Sequence, residues 1–129
     1  NKSIYYDKLN DFRQKDDIEG WLKFFLEGVI ETSQKAVETA RRIIKLREVT
    51  YQKIASLGRS SEKGMLLLRR LFTIPIVRVK DVEKIVSVEN PNALSLVSKF
   101  VAKGILYEIT GKQRNRVYSF KDYIDIFNT

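Results

Sequence analysis

Apolar residues recur every three or four positions along the first half of the chain, which is the spacing that one face of an α-helix produces. The pattern covers residues 5–14 and resumes after Asp17, a residue that is placed to cap a second helix. Gly28 weakens this helix without stopping it, and no other Gly or Pro follows until Gly58. The pattern predicts a short first helix, then two helices end to end or one long bent helix up to Leu57.

The second half changes its pattern more often. Gly58 and Ser61 combine a helix C-cap with an N-cap and mark the expected domain boundary. Three helices are predicted after it, over residues 62–72, 81–86 and 91–103, and Gly104 ends the third. Two runs of β-forming residues, 105–110 and 116–120, flank a polar turn at 111–115, which predicts a hairpin.

Three helices followed directly by a hairpin are the order of a winged helix-turn-helix, whose third helix enters the major groove of DNA. The expected fold class is therefore mainly α with a small β-hairpin wing. A helical bundle segment at residues 1–58 is expected to precede a winged helix-turn-helix domain at residues 59–129.

The composition excludes several kinds of chemistry. The chain has no Cys and no His, so it lacks disulfides, thiolate metal sites and the usual general base near neutral pH. We expect no catalytic residue, no metal and no cofactor in this chain, which by itself should not be an enzyme. No apolar run reaches the roughly 20 residues of a membrane span, and the start lacks a Met. A soluble, excised, cytoplasmic fragment without a membrane partner is expected.

The net charge of +8 favours a partner rich in phosphate, and double-stranded DNA is the one that the fold suggests. The polar positions expected to face outward on the third helix are Asn92, Ser95, Ser98, Lys99 and Lys103. The hairpin tip carries Lys112, Arg114 and Arg116. The helix has no Arg for bidentate guanine recognition, so the tip is the stronger candidate for DNA binding. The alternative is that both are ordinary solvated surface.

Two other groups of residues have a structural and a functional interpretation. The aromatic residues Trp21, Phe24 and Phe25 resemble a stacking platform, but aromatic residues at helical spacing are expected in a core. A second group of cations resembles a phosphate-binding face: Arg41, Arg42, Lys45, Arg47 and Lys53. The interleaved Glu38 and Glu48 favour a solvated helix surface instead. We expect the structural interpretation for both groups.

Residues 21–32, with residues 5–9 before them and 36–40 after them, resemble the helices that follow the catalytic motif in Fic-family proteins. These proteins transfer AMP from ATP to a hydroxyl of a target protein, and a winged helix often follows. The family motif, His-Pro-Phe, two variable residues and Gly-Asn-Gly-Arg, is absent here. The resemblance implies a non-catalytic C-terminal part of an adenylyltransferase, and ATP and Mg would belong only to the full-length parent.

Three functions remain open on the sequence. The winged helix binds DNA on behalf of an AMP-transferring parent, or it docks a protein partner or a second copy. In the third, the chain is an independent transcription regulator that dimerises through the helices of residues 17–57.

Overall fold

The computed structural model describes residues 3–4, 6–7 and 17–128, so most of the helix predicted over residues 5–14 lies outside the described part. The elements are α1 (Ile18–Ala55), a 3-10 turn (Gly58–Ser60), α2 (Ser61–Leu71), β1 (Ile76–Arg78), α3 (Val79–Ile85), α4 (Asn90–Ala102), β2 (Tyr107–Glu108), β3 (Val117–Ser119) and α5 (Lys121–Ile126). This confirms a mainly helical chain with a small β-sheet. Among the described residues, no helix combines the length and the apolar character needed to cross a bilayer.

The first long element is one continuous helix of 38 residues rather than two. Its start is capped as predicted, because the Asp17 carboxylate accepts a hydrogen bond from the backbone N–H of Gly20 at 2.9 Å. Gly28 lies inside α1 and has an ordinary right-handed helical conformation. The helix therefore continues through this glycine.

The contacts divide the chain into compact units of residues 1–40 and 41–129, earlier than the boundary expected after residue 58. The reason is packing at the end of α1, where Ile54 is fully buried and Thr50 is almost so. A Cβ atom added to Gly64 of α2 would lie 2.8 Å from Cγ2 of Ile54 and 3.4 Å from Cε1 of Phe100. The last turns of α1 therefore belong to the core that α2 and α4 build.

The apolar face of α1 differs from the expectation. Trp21 and Phe25 stack with ring centroids 5.4 Å apart, but Phe25 is 43% exposed, and Trp21 and Phe24 are only partly covered. The prediction of a core position is therefore wrong for Phe25, whereas Trp21 and Phe24 are partly buried. The other strongly exposed apolar side chains of α1 before residue 45 are Ile18, Leu22, Leu26, Val29, Ile30, Val37 and Ile44.

The sheet has the strand order β1-β3-β2, and both pairs are antiparallel. Val77 and Tyr118 face each other across β1 and β3, and both are buried. Strand β2 is shorter than the run predicted at residues 105–110, because the residues directly after Gly104 bond back to the end of α4. The backbone N–H groups of Ile105 and Leu106 donate to the carbonyl of Phe100 at 2.9 and 3.3 Å. Both side chains enter the core before the hairpin begins.

Candidate nucleic-acid interface

All five site residues predicted for the third helix are exposed: Asn92, Ser95, Ser98, Lys99 and Lys103. The first four lie in α4, and Lys103 is its C-cap. The opposite face of α4 enters the core through Ala93, Leu96, Val97 and Phe100. Two apolar residues of the same helix, Leu94 and Val101, remain 47% and 41% exposed. These two residues lie seven positions apart, which is about two helical turns. Leu96, rather than Leu94, enters the core. The outward face of α4 is therefore partly apolar.

The structure separates these five residues into two groups. Asn92, Ser95 and Lys99 line a cavity of about 240 Å³ together with residues at the start of α2. We call it the α2–α4 groove, and its lining residues are Arg59, Ser60, Lys63, Val86, Val88, Asn92, Ser95, Leu96 and Lys99. Ser98 and Lys103 are not among them.

Two lysine ammonium groups of the α2–α4 groove are held by neutral oxygen atoms. Nζ of Lys99 donates to Oγ of Ser60 at 2.7 Å. Nζ of Lys63 donates to the carbonyl oxygen of Val86, the C-cap of α3, at 3.0 Å. These hydrogen bonds hold both ammonium groups in position. Because the acceptors are neutral, the bonds do not cancel the positive charge of either lysine.

The three predicted cations of the wing, Lys112, Arg114 and Arg116, are all exposed. They lie in the loop between β2 and β3. This loop turns through Gly111 and Asn115, which adopt left-handed backbone conformations with φ of 66° and 52°. The guanidinium of Arg116 donates through Nε to the carbonyl of Lys112, which closes the tip.

Glu108 organises the base of the wing. Its carboxylate accepts hydrogen bonds from the Thr110 hydroxyl at 2.7 Å, from the Thr110 backbone N–H, and from the Gly111 backbone N–H at 2.8 Å. These bonds, led by the one from the Thr110 hydroxyl, and the nearby charge of Arg116 hold the pKa of Glu108 below its usual value. The Glu108 carboxylate therefore stabilises the loop that follows it in the chain. The sequence pattern did not indicate this role.

The charge of this region is strongly one-sided. Residues 90–120 contain five cations and one acid, Glu108, and so carry half of the chain's net charge of +8. Elsewhere in the described residues, ion pairs join Lys35 to Glu31 and Lys121 to Asp125. None of the five cations has a carboxylate from the described ranges at ion-pair distance. In the part of the chain that the structure describes, no group of three acidic, Cys or His residues could hold a metal ion.

Arg59 and Lys63 are the residues of this surface that the sequence pattern did not single out. They flank Ser61, at which the pattern indicated only a helix cap and a domain boundary. Their spacing of four residues at a helix start was the available signal. Their approach to α4 depends on tertiary packing, which no local pattern contains.

In comparisons with known proteins, no family model and no curated protein matches the chain.

Proposed function

We propose that the module formed by residues 59–128 binds double-stranded DNA through its wing and helix α4. The supporting observation is the uncompensated positive charge of residues 90–120, whose one acid is engaged in folding the wing. In DNA-binding proteins, contacts with phosphate groups supply a large share of the affinity. Exposed Lys and Arg side chains make many of these contacts. The wing and α4 together offer five of these side chains.

In this proposal the wing and the helix have different tasks. Lys112, Arg114 and Arg116 contact phosphates and set the position of the protein on the duplex. Asn92, Ser95 and Ser98 offer neutral hydrogen bonds to base edges, and the exposed Leu94 and Val101 suit the methyl groups of thymine. A helix face without Arg makes a modest sequence preference the expected outcome.

Neutralising the wing tests the proposal directly. The triple variant Lys112→Gln, Arg114→Gln, Arg116→Gln should bind all duplex sequences more weakly. The slope of log affinity against log salt should flatten by up to about three units, at roughly 0.9 for each phosphate that is no longer neutralised. Fluorescence anisotropy with a labelled duplex, titrated at several salt concentrations, measures both changes.

The matched control removes three cations from α1, in the variant Arg41→Gln, Arg42→Gln, Lys45→Gln. It should leave the salt slope almost unchanged. If the α1 variant loses binding and the wing variant does not, the DNA surface lies on α1 instead. If the unmodified chain shows no salt-dependent binding at low ionic strength, the proposal fails.

A second candidate function is docking of a protein partner or of a second copy. It is favoured by the apolar side chains of α1 that remain exposed, and by Leu94 and Val101 on α4. Under this hypothesis the winged helix recruits a partner rather than DNA. An independent transcription regulator combines the two functions, with α1 dimerising and the wing binding DNA.

We further propose that the chain is the C-terminal part of a cytoplasmic Fic-like adenylyltransferase, itself without catalytic activity. The resemblance of residues 21–32 supports this, and so does the exposed apolar face of α1, which suits the wall of a larger core. The coding sequence upstream of Asn1 tests it. That sequence should contain the His-Pro-Phe and Gly-Asn-Gly-Arg elements, and their absence would leave the independent regulator as the better proposal.

A further inference from the structure

We infer that the α2–α4 groove binds one backbone phosphate of the DNA duplex, as an anion site separate from the wing. The inference rests on the proposed function and adds to it two residues, Arg59 and Lys63, that lie outside both α4 and the wing. The groove joins three cations from two segments that are far apart in sequence.

The charge of the groove favours an anion. Its lining includes Arg59, Lys63 and Lys99 and no acidic residue. Lys63 and Lys99 donate to the Val86 carbonyl and the Ser60 hydroxyl, so each ammonium keeps further N–H donors for a ligand. Cations held at fixed positions by neutral acceptors repel one another, and a bound anion relieves that repulsion.

The size of the groove favours a single phosphate group. Its volume of about 240 Å³ is below the roughly 300–1,000 Å³ of pockets that hold drug-sized ligands. One phosphate with a few water molecules fits this volume, at roughly 30 Å³ for each water. The neutral residues Asn92 and Ser95 line the same groove.

The position of the groove favours a phosphate that belongs to DNA. Asn92, Ser95 and Lys99 lie on the exposed face of α4, the helix that the proposed function directs towards the duplex. An anion between this face and the start of α2 would come from the strand that passes beside α4. The groove would then fix the orientation of α4 independently of the wing.

The test is a double-mutant cycle with Lys63→Gln and Lys99→Gln, followed by anisotropy titrations with duplex DNA. Each single variant should weaken binding roughly tenfold, the effect typical of removing one charge-assisted hydrogen bond. The double variant should bind little more weakly than either single one, because both cations serve the same anion. The salt slope should flatten by about one unit, since one phosphate is no longer neutralised.

The control variant Lys23→Gln, Lys35→Gln removes two exposed cations from α1 and should bind like the unmodified chain. Lys99→Arg should restore most of the affinity. Thermal melts of every variant separate a loss of binding from a loss of folding. If the groove variants bind DNA as well as the control while the wing variant does not, the groove site is wrong and the proposed function stands.

A second measurement needs no DNA. Titration with inorganic phosphate, against chloride at equal ionic strength, should shift the backbone NMR signals of residues 59–63 and 95–99 in the full chain. The shifts should disappear in the double variant. Absence of phosphate-specific shifts would overturn the anion site. Shifts without any duplex binding would show an anion site while overturning both its assignment to DNA and the proposed function.

Discussion

Two helical glycines have opposite roles because their surroundings differ. Gly64 lies in α2 where a Cβ would meet the fully buried Ile54 at 2.8 Å. Gly28 lies in α1 with no atom within 4 Å of an added Cβ. Alanine is preferred over glycine in a helix interior by about 1 kcal/mol, but overpacking of a tight core costs about 1–3 kcal/mol.

We therefore expect Gly64→Ala to lower the free energy of unfolding by up to about 2 kcal/mol, since overpacking outweighs helix propensity. Gly28→Ala should raise the stability of its helix by up to about 1 kcal/mol. Urea denaturation followed by circular dichroism compares the two variants with the unmodified chain. A Gly64→Ala variant as stable as the unmodified chain would show that Ile54 moves aside freely.

At the scale of the elements, the wing depends on one carboxylate. Glu108 accepts bonds from Thr110 and Gly111, and the Thr110 hydroxyl in turn accepts one from the backbone N–H of Val117 at 3.2 Å. Glutamine in place of Glu108 keeps only one acceptor oxygen and no charge. The wing is short, and its exposed cations add little packing. We therefore expect these few hydrogen bonds to determine how well the loop is ordered.

We expect Glu108→Gln to speed amide hydrogen exchange at residues 110–117 and to weaken DNA binding, with little change in global stability. The control Glu48→Gln removes an exposed carboxylate from α1 and should have neither effect. Amide exchange measured by NMR resolves the wing from the rest of the chain. Unchanged exchange at Thr110 and Gly111 would mean that the hairpin alone orders the loop.

The pH dependence of the wing follows from the same carboxylate. The pKa of Glu108 is held below its usual 4.5, so folding favours the charged form. The contribution to wing order is fully present above the unfolded pKa and is lost as pH falls through the folded pKa. The NMR signals of Thr110 and Gly111 should therefore stay constant at neutral pH and titrate with a midpoint below 4.5.

At the scale of the whole molecule, the exposed apolar side chains of α1 are the unusual feature. Eight of them in α1 before residue 45 are more than 40% exposed: Ile18, Leu22, Phe25, Leu26, Val29, Ile30, Val37 and Ile44. Exposed apolar patches beyond a few hundred Å² usually mark interaction sites. Both the docking hypothesis and a larger parent protein would cover this surface.

We expect the isolated chain to self-associate through α1. Sedimentation at rising concentration should give masses above the monomer, and Leu22→Gln, Leu26→Gln should shift the equilibrium towards monomer. These two side chains lie one helical turn apart, 46% and 56% exposed. The control Lys23→Gln, Glu27→Gln alters polar neighbours and should not. A strict monomer at high concentration would count against an unpartnered apolar surface.

Local rules explain the features that the sequence determined by itself. The helical periodicity, the cap at Asp17, the stop at Gly104 and the polar turn of the wing all depend on residues within a few positions of one another. These signals were sufficient for the fold class and for placing eight predicted site residues at the surface. They also located the wing cations at its tip.

Features that depend on distant residues were decided only by the tertiary structure. Ile54 packs beside Gly64 and Phe100, which moves the boundary of the second unit back to Arg41. The core selects Leu96 and leaves Leu94 and Val101 exposed, because one face of α4 meets the other helices at a particular rotation. The α2–α4 groove likewise arises where two segments approach in space. Helical spacing gives a side chain its face on one helix, but only packing determines what that face meets.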